Sequence, residues 1–345
     1  MNFLLKRIWR GLGILWGIVT LLFIIFYALG DPTDYLVDEK ADLATRQAIA
    51  AQYGLDKPIY IQYLRYLNNL LPIGWAKEGS PDALPIIPIG SGSFAVKLPN
   101  LGRSFQSQVP VSDLLWSRLG GTGILAGAAI TFAALLGITL GIISALNQGN
   151  ATDQSILSGS VLGISAPSFF VGVLLAYLFA VKWQDWTHLS VSGYVWEDDI
   201  FSNKRQWNGK NLILPALALG IRPLAIFIQL TRSSLLDVLG IDYVRTAKAK
   251  GLPPWRVLLT HALQNALNPV LTAITGWLAS LLAGAFFIEY IFNWQGLGKL
   301  MIEALTQNDI PVILGCALVI GIIFILVSIL TDWLYRKLDP RVQLD

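Results

Sequence analysis

Asp242-Tyr243-Val244-Arg245-Thr246-Ala247-Lys248-Ala249-Lys250-Gly251-Leu252-Pro253-Pro254-Trp255 is a small basic island set between two long apolar runs. Gly251 has no Cβ and can end a short helix in a left-handed conformation, and Pro253-Pro254 blocks simple continuation until a second helix begins near Trp255. The stretch reads as helix, turn, helix. Ala247 and Ala249 leave part of the first helix low in profile while Arg245, Lys248 and Lys250 surround it with charge, and such a helix can enter a groove on another protein. Positive-inside bias and membrane-surface helices produce the same pattern, so the residues alone leave docking and surface lying both open.

Outward from the island, the chain has the composition of a membrane protein. Its 345 residues are 54% hydrophobic and 14% charged, with a mean hydropathy of +0.58, whereas a soluble domain is about one-quarter charged. A net charge of +3 gives no basic field for nucleic acid. The single cysteine, Cys316, lies in an apolar run and excludes an internal disulfide or a cysteine metal cluster. His188 and His261 are far apart, with no His-Glu-x-x-His spacing, so no metal site is expected. No Gly-x-x-x-x-Gly-Lys-Ser/Thr phosphate loop occurs, which leaves the chain no evident means of binding ATP itself.

A bilayer core about 30 Å thick needs about 20 helical residues, and six stretches approximately qualify: 11–29, 121–146, 156–181, 211–232, 270–292 and 312–335. An even count puts both termini on one side. Lys6, Arg7 and Arg10 precede the first span, Arg336, Lys337 and Arg341 follow the last, and Arg232, Arg245, Lys248, Lys250 and Arg256 lie between the fourth and fifth. The positive-inside rule assigns all three groups to the cytoplasm. The turn from Asn147 to Asp153, expected on the same side, has no Lys or Arg. Trp9, Trp116, Trp183, Trp186, Trp294 and Trp333 fall near span ends, as an interfacial belt would place them. A cleaved signal peptide ending near Ala28-Leu29-Gly30 is the alternative for the first span, although its apolar run exceeds the usual 7–15 residues of a signal core.

The fourth span contains Pro215, Arg222 and Pro223. A central Arg costs roughly 2.5–3.5 kcal/mol on insertion scales, and each Leu, Ile or Phe returns about 0.3–0.6. The Leu, Ile and Phe residues between Leu212 and Leu230 roughly offset that cost. Arg222 is then expected to face protein or a water-filled cavity, and the prolines to kink the helix. Glu289 is the matching intramembrane acid. The pairs Gly123/Gly127, Gly137/Gly141 and Gly159/Gly163 are spaced for close helix packing. Residues 30–118 are too polar to span and form an external subdomain, with an amphipathic helix over Gln62 to Leu71 after a turn at Gly54 to Pro58. From Pro72 to Pro99 loop with short strands is expected, and a second polar insert runs from Glu197 to Lys210.

Arg245-Thr246-Ala247-Lys248-Ala249-Lys250-Gly251 resembles the Glu-Ala-Ala-x-x-x-Gly loop of permease subunits of ATP-binding-cassette importers, in the form used by the dipeptide/oligopeptide/nickel branch. His261-Ala262-Leu263-Gln264-Asn265-Ala266-Leu267-Asn268-Pro269-Val270 continues the likeness. Further matches follow in order: Gly30-Asp31-Pro32, Tyr53-Gly54-Leu55-Asp56-Lys57-Pro58 with Gln62-Tyr63, and Leu101-Gly102-Arg103-Ser104. After them come Ser165-Ala166-Pro167-Ser168-Phe169, Val191-Ser192-Gly193-Tyr194, Phe292-Asn293-Trp294-Gln295-Gly296-Leu297-Gly298 and Leu338-Asp339-Pro340-Arg341. Three departures stand out. The inserts around Trp75 to Asn100 and Trp196 to Lys210 are longer than usual, Gln295 replaces a usual proline and so implies a less rigid turn, and Arg245 stands where importers at large favour Glu.

The resemblance implies an all-α membrane protein of the type I importer permease fold, with six transmembrane helices and an external subdomain between helices 1 and 2. Its expected divisions are 1–29, the cytoplasmic N-terminus and first helix; 30–118, the external subdomain; 119–335, a five-helix core with a coupling loop at about 237–268; and 336–345, a cytoplasmic tail. The implied function is that of a pore-forming subunit importing peptides or a related small solute, not an enzyme, in the inner membrane of a bacterium or archaeon. The chain itself would bind no cofactor, with ATP and Mg on partner ATPases. A second permease, identical or homologous, and an external solute-binding protein complete the set. Val244, Arg245, Thr246, Ala247, Lys248, Ala249, Lys250 and Gly251 would form the docking helix, with Ala247 allowing close approach, Lys248 and Lys250 touching the ATPase rim, and Gly251 setting the turn. Two contrasting readings are an ion-coupled secondary transporter using Arg222 and Glu289, and an intramembrane enzyme using Ser168, His188 or His261.

Overall fold

The computed structural model describes residues 2–28, 42–53, 55–77, 83–89, 92–198 and 205–338. Gly30-Asp31-Pro32, Gly54, residues 199–204 of the second insert and Asp339-Pro340-Arg341 lie outside these residues. In order, the elements are α1 (Asn2–Ala28), α2 (Leu43–Tyr53), α3 (Ile59–Leu70), β1 (Ile73–Lys77), β2 (Ala83–Ile89), β3 (Gly92–Lys97), α4 (Val111–Leu146), α5 (Ala151–Ser165) and α6 (Ser168–Leu175), the last continued by a π-helix at Ala176–Lys182. Next come α7 (Gln184–Thr187), β4 (Trp196–Asp198), β5 (Arg205–Trp207), α8 (Lys210–Leu239), α9 (Asp242–Ala249) and α10 (Pro254–Arg256), a π-helix at Val257–Ala262, then α11 (Leu263–Ala266), α12 (Asn268–Gly284), α13 (Phe286–Ile291), α14 (Leu297–Thr306) and α15 (Ile310–Leu338). They form two compact units, one of Met1–Gly11, Arg118–Lys299 and Ile320–Asp345, the other of Leu12–Ser117 and Leu300–Val319.

Of the six expected spans, those in α4, α8 and α15 are single helices long and apolar enough to cross a bilayer. The third is a bent pair. Pro167 has no N–H and disfavours helical backbone at Ala166, which is extended at φ −79°, ψ 130°, so the chain turns by 107° between α5 and α6. The first and fifth correspond to shorter apolar helical stretches, Trp9–Ile25 and Asn268–Leu282. α8 is one continuous helix that contains Pro215 and Pro223, both buried.

Within the larger unit, α4 packs on α8 through glycine. A Cβ on Gly137 would come within 2.7 Å of the Phe227 Cβ, and one on Gly141 within 2.8 Å of the Ile228 carbonyl oxygen, so only glycine permits this approach. Gly123, Gly127 and Gly159 make no such contact among the described residues. The core gathers Leu125, Ala129 and Ala133 of α4, Leu214 and Phe227 of α8, and Ile288, Phe292 and Trp294. Trp294 is therefore not part of an interfacial belt: it is fully buried. Arg7, near the start of the chain, pairs with Asp332 near the end of α15.

In the smaller unit, α3 rests on α1: Tyr63 hydrogen-bonds Thr20 at 2.5 Å, and Phe23 contacts the rings of Tyr63 and Tyr66. Burial pushes the Tyr66 phenol well above its usual range, and its hydroxyl has no hydrogen-bond partner among the described residues. The stretch expected to be mostly loop is an antiparallel sheet of order β1-β3-β2. Gly74 pairs with Ala95 and Trp75 with Phe94, while β2 is an edge strand carrying Pro85 and Pro88 and a register shift between Pro85 and Ile87. The Asn68 side chain joins α3 to this sheet, donating to the Trp75 carbonyl at 3.0 Å and accepting from its N–H at 2.8 Å. Leu101-Gly102-Arg103-Ser104 leads into a turn at residues 105–107, with Gly102 at φ 79° and Arg103 bridged to Pro110. Beyond it Asp309 accepts from Ser104 Oγ at 2.5 Å and from the Phe105 N–H at 3.0 Å.

Candidate coupling site

The basic island folds as helix, turn, helix. Ile241 is extended (φ −78°, ψ 148°) and lets the chain leave α8 before α9 starts. Gly251 sits at φ 75°, its N–H bonded to the Lys248 carbonyl at 3.0 Å, which is the left-handed stop that favours glycine. Pro253 caps α10 and Pro254 occupies its first position, where a missing N–H costs nothing.

The spacing of Val244 and Ala247 puts both on one face of α9. That face turns inward: Val244 is 0% and Ala247 7% exposed, in a cluster with Ala145, Leu235, Val238, Val257, Ala262 and Ala266. The small side chain of Ala247 thus serves close approach to this chain's own helices. Arg245, Thr246, Lys248, Ala249 and Lys250 face outward. Arg245 lies 3.5 Å from Asp242, an exposed pair that contributes little. The Tyr243 hydroxyl donates to the His261 carbonyl at 3.1 Å and accepts from Asn265 Nδ2 at 2.8 Å, which ties α9 to the segment that follows it.

Two carboxylates brace the larger unit. Asp153, in the first turn of α5, takes Arg232 of α8 in a bidentate grip, Nε to Oδ1 at 2.7 Å and Nη2 to Oδ2 at 2.7 Å. It also accepts from Ser144 Oγ at 2.5 Å and from the Gly149 N–H at 2.9 Å. Arg232, counted above among the cytoplasmic charges, is therefore neutralised inside the protein. The composition of the 147–153 turn hints at this, since Asp153 is its sole charged residue; the pairing across the sequence to Arg232 leaves no local signal.

Glu289 is fully buried. Its carboxylate accepts from Thr122 Oγ1 at 2.7 Å, from the Gly298 N–H at 2.7 Å and from the Lys299 N–H at 3.0 Å, the last two being unpaired donors of the first turn of α14. Gly296 is required there, because a Cβ would overlap the carboxylate. Trp294 Nε1 donates to the Gly121 carbonyl at 2.9 Å, and Tyr194 meets the Trp294 ring edge-on at 5.0 Å. The matching stretches at 191–194 and 292–298 thus converge on one buried node. Gln295 is exposed, and the turn is clamped on both sides of it by Trp294 and Gly296.

Arg222 is exposed on α8 and has no ion-pair partner among the described residues. It is not brought to Glu289, whose oxygens are already taken. Ser168 begins α6, His188 follows α7 and His261 lies in a π-helix, and among the described residues no hydrogen bond joins any two of them. A cavity of about 420 Å³ lies where α5 bends, lined mainly by apolar side chains of α5 and α8, including Gly159, Leu162, Ile221 and Leu224.

Residues 137–344 match the family described as "Binding-protein-dependent transport system inner membrane component", and residues 1–126 match "Binding-prot-dependent transport system membrane comp, N-term". The chain belongs to this family of inner-membrane transport components. Within it, the relatives are of the dipeptide/oligopeptide branch of ATP-binding-cassette importer permeases. The dipeptide transport system permease protein DppB of Escherichia coli (strain K12) is 34% identical over 362 residues, covering 99% of each chain. The oligopeptide transport system permease protein AppB of Bacillus subtilis (strain 168) is 32% identical over 342 residues, again covering 99% of each. Among solved structures, a chain of the MetNI methionine ABC transporter in an inward-facing conformation matches with a TM-score of 0.50 at 14% identity, covering 66% of this chain and 96% of that one. That likeness shows a shared fold. The chain is thus a multi-pass permease subunit and not an enzyme.

Proposed function

We propose that this chain is one half of a pore that imports peptides or a related small solute, driven by a separate ATPase that docks on α9. The observation that carries the docking assignment is the two-faced form of α9: Val244 and Ala247 anchor it to its own chain, and Arg245, Lys248, Ala249 and Lys250 are left outward. A second permease subunit, an external solute-binding protein, and ATP with Mg on the ATPase complete the reading. The peptide assignment rests on the relatives named above. Six transmembrane helices with both termini and α9 in the cytoplasm fit the charge distribution, and the Arg7–Asp332 pair supports ends on one face. An ion-coupled mechanism through Arg222 and Glu289 has less support, since the Glu289 oxygens are occupied by three protein donors.

The test places a cysteine at Ala249 in a Cys316→Ala background, purifies the tagged chain from its own membranes, and applies a short thiol-to-amine cross-linker. A nucleotide-hydrolysing subunit is expected in the cross-linked band. If that subunit co-purifies but is never captured from position 249, while exposed positions elsewhere capture it, α9 is not the docking helix.

A further inference from the structure

The seat of α9 is built from the end of α4, through Ala145, and the last turns of α8, through Leu235 and Val238. Each of these sits beside a residue held by one carboxylate. Ser144, adjacent to Ala145, donates to Asp153 Oδ1; Arg232, one turn before Leu235, grips both Asp153 oxygens. The intervening turn is fixed by the same group, because the Gly149 N–H, presented by a backbone at φ 80°, points at Oδ2. Asp153 is 2% exposed and belongs to α5, whose later residues line the cavity opposite α8 at the 107° bend. A buried ion pair is a poor source of net stability, since desolvation offsets most of its attraction, whereas its directional bonds fix one arrangement of the parts it joins.

We propose that Asp153 is a positioning residue for transport: it locks α4, α5 and α8 into one body beneath α9, so that displacement of the docking helix carries the three together against α6, whose Val171 closes the cavity across the bend. Four donors from three places converge on one side chain, and apolar packing in the same position would let the helices slide. This inference rests on the docking role proposed for α9.

The test follows movement without needing the solute. In the Cys316→Ala background, with the complex purified through a tag on this chain and placed in nanodiscs, Leu162→Cys reports on the cavity wall through its rate of labelling by a water-soluble maleimide. The rate is compared without nucleotide and with Mg-ATP plus vanadate, and the Ala249→Cys cross-link is run in parallel. Asp153→Asn and Arg232→Gln are expected to keep ATP hydrolysis and the cross-link while the nucleotide-dependent change in labelling at position 162 shrinks roughly tenfold, a typical size for coupling between sites. Arg232→Lys, which keeps charge but not the bidentate geometry, should fall between. If the labelling change survives intact in Asp153→Asn, the proposal is wrong; if the cross-link fails even in the parent, it is the docking reading that fails. Should Asp153→Asn not yield an assembled complex, Ser144→Ala decides, because it removes one grip and leaves the ion pair: a labelling change reduced at full assembly supports the role, and an unaltered one overturns it.

Discussion

Glu289 illustrates how a charge in an apolar run is made tolerable. Three donors surround its carboxylate, and two of them are N–H groups that the first turn of α14 leaves unpaired. Glu289→Gln keeps the shape but turns an amide toward donors, so a loss of about 1–3 kcal/mol is expected, the cost of leaving buried polar groups unpaired. Thermal unfolding of the detergent-purified protein measures it, and an unshifted midpoint would contradict the account. Tyr66 is the opposite case, a buried hydroxyl without a described partner. Tyr66→Phe should leave the midpoint unchanged or raise it by the equivalent of about 1 kcal/mol. The sequence exposes Glu289 as an anomaly, but not its three partners, because Thr122 lies 167 residues away. Trp294 misleads for a related reason: a tryptophan at a span end looks interfacial until Gly121 offers its carbonyl in the interior.

Among the elements, α9 was the most readable, since a glycine with two prolines close behind it admits few backbones. Gly251 has open space around the position of a Cβ, so its constraint is one of conformation. Gly251→Asn, which tolerates left-handed backbone, should retain uptake, whereas Gly251→Val should lose much of it for a strain of roughly 1–2 kcal/mol; uptake normalised to membrane abundance separates the two. The facing of α9 was not readable, because Ala247 and Ala249 are alike in sequence and only packing against Leu235 and Val238 distinguishes them. The bend at Pro167 was hidden by hydropathy, which registers how apolar a run is and not where it points. The sheet of β1, β2 and β3 was hidden by inversion: Gly74, Ala76, Ser93 and Ala95 face inward while Trp75 and Phe94 face out, so the usual large-inside alternation is reversed.

For the whole molecule, charge asymmetry and the Arg7–Asp332 pair support the same arrangement, with both ends at one membrane face. A reporter that fluoresces only in the cytoplasm, fused after Asp345, should light up, and a reporter active only outside should stay silent in the same position. The reverse result would invert every assignment of side, including that of α9. The three-stranded sheet carries a further consequence. Its order β1-β3-β2 leaves β1 and β2 at the two edges: Asn68 occupies the N–H and carbonyl of Trp75 on β1, and Pro85 and Pro88 strip two N–H groups from β2. A strand so interrupted offers no ladder for another chain to continue. A second copy approaching either edge would meet an interrupted ladder, so contact between two such sheets cannot extend into a shared one.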